Sequence, residues 1–237
     1  MFLSIIIPAY NESKRIQSTL LEITDYLDSC NFQSEIIVAD DGSTDDTADI
    51  VTQLKATHPI INLLRLEHKG KGWAVRNGLT NATGTYRFIC DADLSMPIEQ
   101  IERFLPPLGG NYDITIGSRE APNARRIGEP AIRHIMGRIY NNIIHIAFRN
   151  TLSDTQCGFK CFKWEKVKPI FRNQSINGFA FDMEVLFLAQ KSGLSINEVG
   201  IDWHYNHLSK VRPVIDPMLM TWDLFRIRWR YLTGKYN

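Results

Sequence analysis

Through residues 3–116 the chain alternates short β-branched, aliphatic runs with amphipathic stretches, and no other feature limits its fold as strongly. Residues 3–7, 35–39, 62–66, 86–90 and 113–116 read as strands buried on both faces. Between them, residues 13–27 carry Ile16, Leu20, Ile23 and Leu27 on one helical face. Ser43, Thr44, Asp45 and Asp46 have the chemistry of a helix start, opening a helix through Val51 and Leu54. Residues 72–82 form the third helix, and Pro97, a favourable first helical residue, precedes the stripe Ile98, Ile101, Phe104 and Leu105. Such alternation predicts an α/β fold with a parallel, right-handed sheet flanked by helices. Ligands of such sheets bind beyond the carboxyl ends of the strands.

The second half is less regular. Residues 117–130 read as a long loop, 131–148 as a helix, 158–163 as a strand, 181–191 as a helix and 196–204 as a strand. A polar loop with Ser209, Lys210 and Arg212 precedes a final helix over residues 217–232. A length of 237 residues suits one domain, here divided into 1–118 and 119–237. A net charge of +1 supplies no general attraction for nucleic acid, so none is expected as a partner. No run approaches the roughly 20 apolar residues of a membrane-spanning helix, and residues 1–8 are too short, and lack the basic leader, for a signal peptide. Cys30, Cys90, Cys157 and Cys161 are expected to remain thiols in a reducing compartment, with too few neighbouring ligands for zinc.

The chemistry gathers at the strand ends. Asp91 and Asp93 follow the fourth strand with Ser95 two residues on, and paired carboxylates there can hold a hard divalent cation. Asp40, Asp41 and Gly42 end the second strand, where a carboxylate can accept from a ribose hydroxyl or a base N–H, or simply cap the following helix. Pro8, Tyr10 and Glu12 follow the first strand and favour the former, because Tyr10 offers a face to a base. His68, Lys69, Gly70, Lys71 and Gly72 open a helix as either a phosphate-binding turn or a surface turn. Arg119, Arg125, Arg126 and Arg133 read either as a solvated basic loop or, since they lead into the acidic edge, as a guanidinium cluster suited to a phosphate. Asp182 and Glu184 stand at a helix start as a general base or as capping acids. The helices over 131–148 and 217–232 combine apolar stripes with arginines; such stripes commonly pack in a core, but Trp222 and Trp229 also give the last one the composition of a helix lying on a membrane surface.

Taken in order, Pro8-Ala9-Tyr10-Asn11-Glu12, Asp40-Asp41-Gly42-Ser43-Thr44-Asp45, Lys69-Gly70-Lys71-Gly72, Asp91-Ala92-Asp93 and Gly117-Ser118-Arg119 resemble the family 2 glycosyltransferases of the GT-A fold, a Rossmann-like, mostly parallel sheet. In the second half, Asp154-Thr155-Gln156-Cys157-Gly158-Phe159-Lys160, residues 179–184, Ser209-Lys210 and residues 230–234 are similar to the dolichyl-phosphate β-glucosyltransferase branch, with dolichyl-phosphate mannose synthases close by. The resemblance implies that Pro8, Tyr10, Glu12, Asp41, Gly42, Lys69 and Asp91 hold a nucleotide-sugar donor. Asp91, Asp93 and Ser95, the last where mannose synthases carry Gln, would hold Mg²⁺ or Mn²⁺. Arg119, Arg133, Ser209 and Lys210 would bind the acceptor phosphate, with Asp93, Arg119, Arg133 and Asp182 nearest the chemistry. The implied reaction is inverting, metal-dependent transfer of glucose from UDP-glucose to a polyprenyl phosphate. Mannosyl transfer from GDP-mannose and transfer to a saccharide are the alternatives within the fold, and a non-catalytic nucleotide-sugar-binding protein the one outside it. Eukaryotic members of the branch carry an N-terminal anchor, whereas this chain opens at its first strand. It is therefore expected to reach its lipid, undecaprenyl phosphate included, at the cytoplasmic membrane face through surface helices or a membrane-protein partner.

Overall fold

A computed structural model describes residues 1–131, 134, 137, 138, 141, 144, 148, 152–206, 212 and 215–236. Four strands of the first half, β1 (Leu3–Ala9), β2 (Ser34–Asp40), β3 (Ile61–Arg65) and β4 (Tyr86–Ile89), lie parallel in the order β3-β2-β1-β4. The sheet continues through β7 (Lys160–Lys163), β5 (Ile114–Ser118) and β8 (Ile196–Gly200). Strand β7 runs antiparallel to both neighbours, so the parallel sheet expected from the alternation is mostly but not wholly parallel. Strands from residues 1–118 and from 119–237 thus share one sheet.

The continuous apolar runs follow from burial on both faces. Ile5 and Ile7 of β1, Ile36 and Val38 of β2 and Phe88 of β4 pack on one side with helices α1 (Ile16–Asp28) and α2 (Thr47–Thr57) and the 3-10 helix Ile98–Phe104. Their alternates Ile6, Ile37 and Ile89 pack on the other with α3 (Lys71–Asn81), α4 (Trp164–Asn173) and α5 (Phe181–Lys191). Cys157 and Cys161 are buried among the first group, and all four cysteines are free thiols.

The fold departs from the sequence pattern at three places. Helix α4 shows no clear period in the sequence, because Pro169 interrupts it; its buried stripe is Trp164, Val167, Ile170 and Phe171. The 117–130 loop contains a short strand, β6 (Arg125–Ile127). The single strand over 196–204 is two: the chain breaks after Gly200, where a Cβ would lie 2.3 Å from the Pro122 carbonyl oxygen, and β9 (Asp202–His204) pairs with β6 instead. The described residues between 131 and 148 are helical, as expected. Among the described residues no helix is long and apolar enough to cross a membrane.

Order β2-β1-β4 makes β1 the strand at which the chain's winding reverses, and the crevice outside its carboxyl end is the natural ligand site. Ala9 pairs with Asp40 and Ile6 with Ile89, so Tyr10, Asp41 and Asp91 all emerge at the same edge.

Candidate active site

A cleft of about 710 Å³ opens at that edge. Pro8, Tyr10, Glu12, Asp41, Asp91 and Asp93, six of the expected donor and metal residues, line it, as do Arg15, His68, Gly70 and Lys71. Its opposite wall is α6 (Ile215–Leu232), through Asp216, Leu219, Met220, Trp222, Asp223 and Arg226, with Arg212 just before the helix.

At one end Asp41 organises a turn. Its carboxylate accepts the backbone N–H of Lys69 (3.0 Å) and of Gly70 (2.9 Å), and His68 Nδ1 lies 2.8 Å from Oδ2. The His68 ring stacks on Tyr10 with centroids 4.1 Å apart. Gly42, at φ +73°, lets residues 66–68 approach, since a Cβ there would lie 2.9 Å from the His68 nitrogen. Lys69 itself turns away to Glu67 (2.8 Å) and does not line the cleft; the lysine of this turn that does is Lys71.

At the other end stand the two carboxylates. Lys71 Nζ is 2.6 Å from Asp91 Oδ1. Burial pulls the Lys71 ammonium toward neutrality, but Asp91, Asp182 and Asp93 outweigh it and hold the group above its usual range. Asp93 accepts the Ser95 N–H at 3.1 Å and has Arg15, itself tied to Glu12 at 2.5 Å, 4.0 Å away. Burial and the charge of Asp91 push the Asp93 carboxyl upward, against the Ser95 hydrogen bond and Arg15. Two crowded carboxylates at the end of a cleft form a place that gains from an added cation. Mg²⁺ and Mn²⁺ sites of this kind use one or two carboxylates and take further oxygens from substrate phosphates and water, so Asp91 and Asp93 fit such an ion. Among the described residues no group of three His, Cys, Asp or Glu side chains makes a closed cage. Ser95 sits behind Asp93, buried, its carbonyl accepting the His204 N–H at 2.7 Å, and does not line the cleft.

Asp91 is held from behind by a glycine. A Cβ on Gly158 would lie 1.9 Å from Asp91 Oδ2 and 2.5 Å from its Cγ. The turn carrying Gly158 is fixed by Asp154, whose carboxylate takes the Arg119 guanidinium in a two-pronged pair (2.7 and 2.9 Å) and the Arg119 N–H (3.1 Å). Burial alone would raise the Asp154 carboxyl, but Arg119 overrides it and brings it down to about 2. Arg119 therefore serves a buried carboxylate and does not line the cleft. Arg125 pairs with Asp202, and Arg126 with Glu120 and Glu129. Arg133, Ser209 and Lys210 lie outside the described residues. Among the described residues the guanidinium groups that line the cleft are Arg15, Arg212 and Arg226, none of them in the expected cluster and each paired with a carboxylate on its own segment.

Asp182 is buried off the cleft, 2.7 Å from Lys160 Nζ, which is only 1% exposed and also donates to the Cys157 carbonyl. Burial raises the Asp182 carboxyl, with Lys160 and Lys71 opposing. Glu184 is a clamp: it accepts the N–H groups of Ser175 and Ile176 and the Tyr236 hydroxyl (2.5 Å), shaping the turn before Gly178 and Phe179, which line the cleft.

Helix α6 buries Leu224 and Ile227 but leaves its other apolar face open. Trp222, Phe225 and Trp229 are 65%, 68% and 66% exposed, in one stripe with Ile215, Met218, Leu219 and Leu232. The stripe begins beside the cleft, which Leu219 and Trp222 also line.

Residues 4–170 match the sequence profile of Glycosyl transferase family 2. The dolichyl-phosphate β-glucosyltransferase of Dictyostelium discoideum is 35% identical over 248 residues, covering 99% of this chain and 76% of that protein. Its namesake from Saccharomyces cerevisiae is 30% identical over 257 residues, covering 100% and 77%. In three dimensions the chain is similar to glucosyl-3-phosphoglycerate synthase from Mycobacterium tuberculosis, solved with Mn²⁺, UDP-glucose and phosphoglyceric acid: TM-score 0.68, 17% identity, 99% of this chain and 79% of that one.

Proposed function

The chain belongs to glycosyl transferase family 2 and has the GT-A fold, and from that premise we propose that this glycosyltransferase moves glucose from UDP-glucose to the phosphate of a polyprenyl lipid, inverting the anomeric carbon. The observation that carries the reading is the shared wall: α6 lines the cleft that holds Asp91 and Asp93 and also bears the exposed stripe of Trp222, Phe225 and Trp229. A lipid whose tail lies against that stripe delivers its headgroup to the acidic pair. The names of the relatives support glucose and dolichyl phosphate, and the structural neighbour's ligands support UDP-glucose and a divalent ion.

In this reading residues 1–118 take the donor and 119–237 the acceptor. Tyr10, His68 and Asp41 form the nucleoside end. Asp91 and Asp93 would hold Mg²⁺ or Mn²⁺, which when bound neutralises charge on the donor diphosphate. Lys71, mounted next to Asp91, is a further positive charge that the donor diphosphate can meet. Arg212 and Arg226, with Arg133, Ser209 and Lys210, steer the acceptor phosphate and offset its repulsion from the donor. An oxygen of that phosphate bonds to the anomeric carbon as the bond from that carbon to the diphosphate breaks, and UDP departs with the electron pair. A lipid phosphate is already ionised near neutral pH, so no general base is required. Asp182, tied to Lys160 away from the cleft, suits that economy. Contact with the cytoplasmic membrane face is made by α6, with its exposed tryptophans beside Arg226, Arg228 and Arg230.

The test is a donor screen. Purified protein, Mg²⁺ and a short polyprenyl phosphate in vesicles are mixed with labelled UDP-glucose, GDP-mannose or UDP-GlcNAc, and lipid-extractable sugar is counted. Label from UDP-glucose is expected. Bound donor with no transfer from any of the three would overturn the reading.

A further inference from the structure

Lys71 is the cation of the cleft that sits directly on Asp91. It is the first residue of α3, and the two glycines that flank it fix where its side chain can go. A Cβ on Gly70 would lie 2.6 Å from the Asn177 carbonyl oxygen, and one on Gly72 would lie 2.6 Å from Phe181 Cβ. The Trp73 N–H donates to the same Asn177 carbonyl at 3.2 Å, so the start of α3 is bolted to the segment before α5. From this mounting the ammonium reaches Asp91 Oδ1 at 2.6 Å, while Gly158 closes on Oδ2 from the other side. Both oxygens of the carboxylate expected to bind a divalent ion are thus occupied or crowded by the protein's own atoms.

We propose that Lys71 holds the cation seat on Asp91 until the donor diphosphate draws its ammonium away, so that metal and nucleotide bind as one interdependent event. The inference rests on the donor and metal reading above and goes beyond it, because it makes release of Lys71 from Asp91, and not only the phosphate oxygens shared with the ion, a source of the coupling. The physical cause is competition: one carboxylate oxygen cannot serve an ammonium and a divalent ion at contact distance, and two cations there repel. A diphosphate offers Lys71 an alternative anion and frees Asp91. By linkage, nucleotide must then tighten metal binding by the factor through which metal tightens nucleotide binding. The arrangement also leaves the donor-free enzyme's acidic pair with a counter-ion of its own, which lowers the cost of keeping Asp91 and Asp93 charged and close.

The experiment reads metal binding directly. Free Mn²⁺ is followed by its electron paramagnetic resonance signal during titration of the full chain, with and without UDP, for wild type, Lys71→Met and Lys71→Arg; circular dichroism confirms folding. Wild type should bind Mn²⁺ weakly alone and at least roughly tenfold more tightly with UDP. Lys71→Met should bind Mn²⁺ alone at least roughly tenfold more tightly than wild type, with UDP adding much less. Lys71→Arg keeps the charge and should keep the block. Should Lys71→Met fail to fold, Lys71→Gln is the neutral replacement, judged by the same Mn²⁺ titration with and without UDP. Unchanged Mn²⁺ affinity in a folded neutral variant, or wild-type Mn²⁺ binding indifferent to UDP, overturns the proposal. Absence of Mn²⁺ binding even with UDP would instead strike the donor and metal reading itself.

Discussion

Replacing Gly158 by alanine perturbs the aim of Asp91 while leaving its chemistry intact. The added methyl carbon would lie 1.9 Å from Oδ2, and the carboxylate must retreat by about 1.5 Å to reach the 3.4 Å of ordinary contact. Gly158 does not occupy the left-handed backbone region that only glycine tolerates, so alanine is not strained in the main chain. The obstructing atoms belong to the end of a side chain that can swing, so the fold survives and the cost falls on function. A reacting or ligating group displaced by about 1 Å typically costs about 10²-fold in rate. Gly158→Ala should therefore lose about 10²-fold in kcat/KM for sugar transfer, and bind UDP with less dependence on Mn²⁺, while its melting temperature stays within a few degrees of wild type. Gly137→Ala, where a new methyl meets nothing among the described residues, is the control and should leave transfer unchanged. Wild-type transfer by Gly158→Ala would refute the claim that Asp91 must sit where this glycine lets it.

Exchanging Trp222 and Trp229 for serine should lower partition onto anionic vesicles by roughly 10-fold or more per residue in sedimentation assays, given about 1.5–3 kcal/mol for burying a large apolar side chain. Transfer to a lipid acceptor should fall in parallel, with UDP binding retained. Asp182→Asn strands the Lys160 ammonium in the interior and should destabilise the protein by about 3–5 kcal/mol in urea, a loss that adding Lys160→Met reduces. Turnover with a lipid phosphate, measured while the variant is folded, should drop by well under the roughly 10²-fold that removal of a general base brings. Asp154 has a carboxyl depressed to about 2, so its pairing stabilises the fold above the ordinary carboxylate pKa and is lost as pH falls through about 2. That contribution, on the order of 2 kcal/mol, should appear as an acid-side slope in urea midpoints that Asp154→Asn removes.

Much of this architecture was legible because strands buried on both faces leave unbroken apolar runs, and β1, β2 and β4 end in residues that line the cleft. Pro8, Tyr10, Glu12, Asp41, Asp91 and Asp93 were found that way, and all six line the cleft. Pro169 hid α4, while β6 and β9, three residues each, are too short to show a period. The cationic side of the site was harder to read, for a physical reason. Arg119, Arg125 and Arg126 look free in a linear sequence, yet each meets a carboxylate in the fold, and Asp154 and Asp202 are far along the chain from their partners. Arg15, Arg212 and Arg226 reach the cleft through helix phasing and the docking of α6, neither of which spacing encodes. Lys71 sat in a recognised turn, but which of its two lysines faced inward depended on how Gly70 and Gly72 pack.

In the proposed reaction a phosphate on a lipid, brought in along α6, attacks the sugar held at Asp91 and Asp93. The most direct measurement compares initial rates of transfer from labelled UDP-glucose to a polyprenyl phosphate and to the same polyprenol without its phosphate, with Asp91→Asn beside wild type. Transfer to the phosphate alone, abolished by Asp91→Asn, is the predicted result; equal transfer to the bare alcohol, or undiminished transfer by Asp91→Asn, would contradict it.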